Sequence, residues 1–341
     1  MPTLPTLDDI HAAHARSAPY LYRTPLRESF LLSQRIGARV FLKLENWQVT
    51  GSFKPRGALN RMLQLTDAER ARGVVTASAG NHALGVGHAA RALNISPATI
   101  FVPRTAPRAK IEKLREYPVE IRAVGESYAD AHHAAENFQR ESNATFIHAY
   151  DDERTVAGQG TIALEILEDL PDVDAMLVPV GGGGMIAGIA IAAKTIAPRA
   201  KIIGVQPSAS PALRDSLRDK KCYEEYSAAP TICDGLAGGI GKICFETAQK
   251  FVDDVIVVAE TEVYDAIRAL METQQLIVEG SGAVGIAALL SRRIDLRDKK
   301  IAVVLSGGNI DLELLKKILD ADERGLRGSK TKEEKICQMQ S

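Results

Sequence analysis

The sequence predicts a doubly wound α/β fold with parallel strands, on three observations. From about residue 70, short β-branched runs alternate with longer helical segments, the rhythm of strands joined by helical crossovers. Most of these runs are apolar throughout, as strands covered on both faces are. The segments between them repeat apolar residues at three and four positions, as at Ala163, Ile166, Leu167 and Leu170, which marks one face of a helix.

Taken in order, a first strand at Arg39–Leu44 precedes this series, and the segment around Lys54 is expected to start a helix. Val74–Thr76 opens the regular alternation and is followed by a helix over Ala83–Ala92. Thr99–Val102 pairs with Arg108–Tyr117, Glu120–Val124 with Ser127–Glu141, and Thr145–His148 with Val156–Asp169. Met176–Val180 passes through a glycine run into Met185–Ile196. Ile202–Val205 leads into a loop-rich stretch from Ser208 to Gly241, punctuated by Pro211, Pro230, Gly235, Gly238 and Gly239, and long irregular segments are often functional. Val255–Ala259, Glu262–Gln274, Ile301–Leu305 and Leu312–Leu319 complete the pattern, and the polar residues 329–341 are expected to fray.

Composition excludes several functions. The 341 residues are 45% hydrophobic, so the chain is globular, and 42 basic against 43 acidic side chains leave no net field to hold nucleic acid. Met1–Arg23 carries Asp8, Asp9, His11 and His14 where a secretion signal has an apolar core, and no apolar run reaches membrane-spanning length. Cys222, Cys233, Cys244 and Cys337 form no C-x-x-C pair and no histidine follows His148, so reduced thiols of a soluble cytoplasmic protein are expected.

Open sheets place their chemistry beyond the carboxyl ends of the strands. Gly181-Gly182-Gly183-Gly184 joins a strand to a helix there, and Met185 follows. A tight turn alone needs one or two glycines; four let backbone N–H groups converge at a helix N-terminus, which suits phosphate. Neither the dinucleotide fingerprint nor the Walker pattern fits this run. In Thr50-Gly51-Ser52-Phe53-Lys54-Pro55-Arg56-Gly57, a lysine enclosed by Gly, Phe and Pro is expected to be partly desolvated, which lowers its pKa toward that of a nucleophilic amine. Ser78-Ala79-Gly80-Asn81-His82 reads either as a helix cap by Ser78 or Asn81, or as a nest of N–H groups for a substrate carboxylate. For His82, packing or capping competes with proton transfer. Ser306-Gly307-Gly308-Asn309 adds a hydroxyl after the last strand.

Together with Ala157-Gly158-Gln159-Gly160-Thr161 and Glu279-Gly280-Ser281-Gly282-Ala283, these motifs resemble the fold type II pyridoxal-phosphate enzymes, specifically the threonine ammonia-lyase (threonine dehydratase) and serine racemase family, along nearly the whole chain. The resemblance implies a large domain over residues 1–72 and 150–328 and a small one over 73–149 that moves over the active site. It implies pyridoxal 5'-phosphate as cofactor, carried by Lys54 as a Schiff base, with Phe53 against the ring and Asn81 at its 3-hydroxyl. Gly181, Gly182, Gly183, Gly184 and Met185 would hold the phosphate and Ser306 would face the pyridine nitrogen. The substrate carboxylate would sit on Ser78, Ala79, Gly80, Asn81 and His82. The implied reaction is β-elimination from a hydroxy amino acid such as threonine or serine, in a homodimer or homotetramer.

Departures from the pattern favour elimination over racemisation. Racemases of the family resemble Ser-Ser-Gly-Asn-His in the carboxylate loop, and the second serine is Ala79 here, whose methyl has no proton to exchange. Tyr150-Asp151-Asp152 after His148 is closer to dehydratases. The acidic metal ligands of the racemases become Gln206 and Ala212, with Ser210 between them, so no metal site is expected. The chain runs only to Ser341, and no C-terminal regulatory module is expected.

Overall fold

A computed structural model describes residues 3–106 and 108–320. The expected frayed tail and Cys337 lie outside the described residues.

Two sheets organise the chain. The larger contains β1 (Leu26–Glu28), β2 (Arg39–Lys43), β7 (Ala175–Pro179), β8 (Lys201–Pro207), β9 (Asp254–Val258) and β10 (Lys300–Val304), in the order β1-β2-β10-β7-β8-β9. All its pairs are parallel except β1 with β2. The smaller is parallel throughout, with β3 (Val74–Ala77), β4 (Ala98–Val102), β5 (Glu120–Ala123) and β6 (Thr145–Phe146) in the order β5-β4-β3-β6.

The apolar strands are explained by cover on both faces. In and just beyond β10, Ala302 and Val304 enter one core while Ile301, Val303 and Leu305 enter the other. The first core packs against α1 (Leu7–Ser17), α8 (Glu153–Asp169), α9 (Gly184–Ile196) and α11 (Lys242–Phe251). The second packs against α2 (Phe30–Ile36), α12 (Glu260–Gln274) and α13 (Gly280–Leu290).

Helix α3 (Lys54–Met62) is the hinge of the arrangement, because it is pressed between α8 on one side and α5 (Asn81–Leu93) of the smaller sheet on the other. Glycines make those approaches possible. A Cβ on Gly158 would lie 2.4 Å from the Arg56 carbonyl oxygen, and one on Gly85 3.1 Å from the Lys54 carbonyl carbon. The α8–α9 contact is similar, since a Cβ on Gly188 would lie 2.3 Å from the Val156 carbonyl oxygen. Backbones that close fix the start of α3 relative to the start of α9.

The structure corrects several expectations. Residues 208–241 are not wholly irregular, since α10 (Ala212–Asp219) lies inside them, begun where Gln206 Oε1 accepts the N–H groups of Leu213 at 3.0 Å and Arg214 at 3.1 Å. Gln206 therefore acts as a cap. The apolar glycine-rich segment after Glu279 is α13, a helix that periodicity misses because it is buried on all sides. The strand expected at Thr145–His148 stops at Phe146, and the helix expected at Ala83 already begins at Asn81. The remaining helices are α4 (Asp67–Arg72), α6 (Arg108–Arg115) and α7 (Tyr128–Ser142), and residues 312–320 are also helical.

Candidate active site

The order of the large sheet reverses at β7, whose neighbours are β10 on one side and β8 on the other, so the loops after β7 and β10 meet at one crevice. Gly181–Gly184 follows the first and Ser306–Asn309 the second. Phe53 N–H donates to Ser306 O at 3.1 Å, which brings the start of α3 to the same place.

Lys54 is partly buried at the first position of α3, with Pro55 behind it where a missing N–H costs nothing. Its Nζ donates to Ala149 O at 3.0 Å and lies 5.1 Å from the Phe53 ring centroid. It forms no ion pair among the described residues. Burial pushes its ammonium down from 10.5 to about 8, against a weaker pull upward from Cys244 and Glu279. An amine shifted this way keeps a larger free-base fraction near neutral pH than an ordinary lysine.

The glycine run fits an anion. Gly183 caps α9 with φ +93°, and a Cβ there would meet Cys244 Cβ at 2.6 Å. On Gly182 it would lie 2.3 Å from the Tyr150 ring, and on Gly184 2.9 Å from the Tyr150 carbonyl oxygen. Tyr150 thus lies against the run, and the segment Ala149–Tyr150 links it to Lys54. The first N–H groups of α9, from Gly184 and Met185, have no intrahelical acceptor, and the helix dipole adds partial positive charge. Such a run could hold a phosphate, and Tyr150 against it follows Ala149, whose carbonyl accepts from Lys54.

On the opposite wall, α5 starts at Asn81 after Gly80, and neither Ser78 nor Asn81 caps it with a side chain. Ser78 Oγ instead accepts the Gly80 N–H at 3.2 Å. A Cβ on Gly80 would meet nothing within 4 Å, so the loop opens onto free space. His82 faces inward, its Nε2 2.9 Å from Ile147 O, and burial holds its pKa at about 3. Its ring is buried in the packing, and that burial favours the neutral form. Ser306 is buried and its Oγ makes one long contact, 3.4 Å to Ser281 O. Thr50 Oγ1 and Ser52 Oγ, just before Phe53 and Lys54, are buried without partners among the described residues. Unsatisfied polar atoms around a reactive amine and an open anion cradle are what a polar ring-shaped cofactor would meet.

The motifs assign no role to two neighbours of the site, Glu279 and His148. Glu279 is buried at the start of α13, and Asn81 Nδ2 donates to its Oε1 at 2.7 Å. Burial and the nearby Asp234 raise its pKa to about 7. The sequence signal was available, since Glu279 is the only charged residue from Thr273 to Ser291. His148 stands edge-on to Tyr150, ring centroids 4.7 Å apart, and burial lowers its pKa to about 4. Its Nδ1 accepts the Asp151 N–H at 2.8 Å, which shapes the turn carrying Tyr150.

The amine beside a phosphate cradle at the switch point of a parallel sheet defines the class. Residues 18–307 match the model of the pyridoxal-phosphate dependent enzyme family, and the chain belongs to that family. Within it, the chain is 45% identical over 316 residues to the L-threonine ammonia-lyase of Thermotoga maritima, covering 92% of this chain and 78% of the relative. It is 42% identical to the catabolic L-threonine dehydratase of Staphylococcus aureus, covering 92% of each. Among solved structures, maize serine racemase superposes with a TM-score of 0.87 at 36% identity, over 95% of this chain and all of that one. Pyridoxal phosphate is the cofactor of the family.

Proposed function

We infer that the protein is an ammonia-lyase, a carbon–nitrogen lyase that eliminates water from L-threonine or L-serine and releases 2-oxobutyrate or pyruvate with ammonia. The observation that carries this reading is an amine without an ion-pair partner, Lys54, beside the Gly181–Gly184 cradle, in a chain 42–45% identical to a threonine dehydratase and a threonine ammonia-lyase.

Bound at Lys54, pyridoxal phosphate supplies an electron sink for the negative charge that develops at the substrate α-carbon. The chain does the rest. The N–H groups of Gly181, Gly182, Gly183, Gly184 and Met185 hold the phosphate, and Phe53 packs against the ring. Asn81 offers its amide to the ring oxygen, and the neutral hydroxyl of Ser306 faces the ring nitrogen. The loop Ser78, Ala79, Gly80, Asn81 and His82 receives the substrate carboxylate through backbone N–H groups. Once the substrate's amine takes its place on the cofactor, Lys54 Nζ would be free to remove the α-proton, and burial, which lowers its ammonium pKa, enlarges the unprotonated fraction. The β-hydroxyl would leave with a proton as water, balanced by the α-proton that Lys54 takes up, and the enamine that remains would tautomerise and be hydrolysed to the oxo acid and ammonium.

Ala79 separates this reading from racemisation, which needs a proton donor on the opposite face of the α-carbon. An oxo-acid assay across L-threonine, L-serine, threo-3-hydroxyaspartate and their D isomers tests it, alongside D-serine formation by the wild type and Ala79→Ser. Racemisation by the wild type as fast as elimination would overturn the reading.

The smaller sheet with residues 73–149 is proposed to close over the cleft as a unit against residues 1–72 and 150–328. A homo-oligomer is proposed on the exposed apolar side chains Tyr22, Phe30, Leu31 and Trp47 near the edge strand β1, to be checked by light scattering. No helix among the described residues is long and apolar enough to cross a membrane. A cytoplasmic setting is proposed on the free thiols Cys222, Cys233 and Cys244.

A further inference from the structure

Asn81 stands on the smaller sheet's side of the cleft, yet its side-chain partners come from the larger. Its Nδ2 donates to Glu279 Oε1 at 2.7 Å, and its Oδ1 accepts from Asn309 Nδ2 at 2.8 Å. The same Asn309 amide donates to Thr50 O at 2.8 Å. These partners leave the Asn81 amide no choice of orientation. The Thr50 carbonyl can only accept, so the Asn309 group beside it must be the NH2, and Asn309 therefore presents a donor to Asn81. With its oxygen committed to that donor, Asn81 turns its NH2 to Glu279, whose Oε1 accepts. Flipping Asn81 would set donor against donor on one side and acceptor against acceptor on the other.

Counting what remains shows where the amide is aimed. Asn81 has two N–H groups, one is given to Glu279, and one is left over. The local packing has been shaped around this pair. A Cβ on Gly307 would lie 2.4 Å from Glu279 Oε1 and 3.2 Å from Asn81 Nδ2, and a Cβ on Gly51 would lie 2.9 Å from Asn309 Oδ1. The charges facing Glu279 are Asp234 on the 3-10 turn, Lys110 on α6 and Lys54 on α3, with the Cys233 thiol also close.

We propose that Glu279 is a positioning residue: with Asn309 it locks the Asn81 amide across the cleft in one orientation, so that the remaining N–H is presented to the ring oxygen of the bound cofactor. The inference rests on Asn81 meeting that oxygen and on Lys54 carrying the cofactor. Glu279 touches neither the cofactor ring nor the substrate in this scheme, and acts through Asn81. A carboxylate that served only to cap α13 would have no coupling to Asn81.

The test is a titration of apoprotein with pyridoxal 5'-phosphate, read by the visible absorbance of the bound chromophore and its dissociation constant. The variants are Glu279→Ala, Glu279→Gln, Asn81→Ala and the double Ala variant, with Lys54→Ala as control. Glu279→Ala is expected to weaken binding about tenfold and to shift the absorbance maximum, the scale of one charge-assisted hydrogen bond. Glu279→Gln, whose side-chain oxygen still accepts, is expected to stay within about threefold of wild type. If Glu279 acts through Asn81, the double variant loses no more than Asn81→Ala alone; additive losses overturn the proposal, as does wild-type affinity with an unmoved maximum in Glu279→Ala. Thermal melting of each apoprotein identifies a variant that has lost its fold, and then Glu279→Leu, which also removes the acceptor but keeps the bulk, supplies the cycle with Asn81→Ala. The control keeps the two claims apart, because Lys54→Ala with an unchanged visible band would bring down the cofactor assignment whatever Glu279 does.

Discussion

Lys43 and Lys54 are both lysines taken largely out of water, and the structure treats them in opposite ways. Lys43 at the end of β2 belongs to a buried network: its Nζ donates to Thr24 O at 2.6 Å and pairs with Glu165. Arg56 bridges the same acids, donating to Glu45 Oε2 at 2.8 Å and to Glu165 Oε1 at 2.7 Å, with Thr161 Oγ1 at 3.1 Å. The two cations and two anions neutralise one another, and nearly every donor has an acceptor. Burial lowers the Lys43 ammonium, and Glu45 and Glu165 oppose that. Lys54 has only a carbonyl oxygen and the face of Phe53 for company. Burial lowers both ammonium groups; what sets Lys54 apart is that no carboxylate is paired with it among the described residues. Arg56, two residues beyond Lys54, anchors α3 in the paired region so that its first residue can remain unpaired.

Each half of that contrast can be broken. The largest effect is expected from Lys54→Ala, which should lower oxo-acid formation by about 10^3-fold or more while the apoprotein melts no lower than wild type. Retained turnover would mean that the unpaired amine is not the reactive group. Glu165→Ala leaves Lys43 and Arg56 short of an acceptor inside the core, and urea denaturation should register a loss of roughly 3–5 kcal/mol. A loss below ~1 kcal/mol would show that the network is not what anchors α3.

Two smaller changes sharpen the picture. Gly182→Ala drives a methyl into the Tyr150 ring, 2.3 Å from where its Cβ would lie. Cofactor affinity, measured by titration of apoprotein, should fall by about 1–3 kcal/mol, the scale of overpacking. The pH dependence of apoprotein stability reports on Lys54 directly. Its folded pKa of about 8 lies below the ordinary 10.5, so between those values the unfolded chain binds a proton that the folded chain does not. Stability therefore rises with pH across that window, and the cost of burying the ammonium is fully present below it. Lys54→Met should remove this rise and add on the order of 3 kcal/mol at pH 7. A wild-type profile in the variant would place the titration elsewhere.

Much of this was legible in the chain. Apolar strands at β3, β4, β7, β8 and β10 could be placed within a residue or so, because burial on both faces leaves a continuous β-branched run. Gly181–Gly184 and the surroundings of Lys54 announced themselves because each breaks a local rule: too many glycines for a turn, and a lysine between an aromatic ring and a proline. Glu165 carried no such mark. It sits on α8 in a spacing that a solvated acid could equally occupy, and only the arrival of Lys43 and Arg56 from distant segments gives it a partner. Tyr150 was noticed, but its place against the glycine run was not, since contact between residues 150 and 182 depends on how α8 and α9 cross.

By itself the sequence determined the α/β architecture with parallel strands, the family and its cofactor, and it singled out the amine proposed to carry that cofactor. Those follow from periodicity and from short contiguous motifs, in which the chemistry is written by adjacent residues. Only the tertiary structure decided which buried charges are paired and which is left alone, and which way the Asn81 amide is turned. Pairing and orientation are set by distances of a few ångströms between segments more than a hundred residues apart, and a hydrogen bond weakens steeply outside that range.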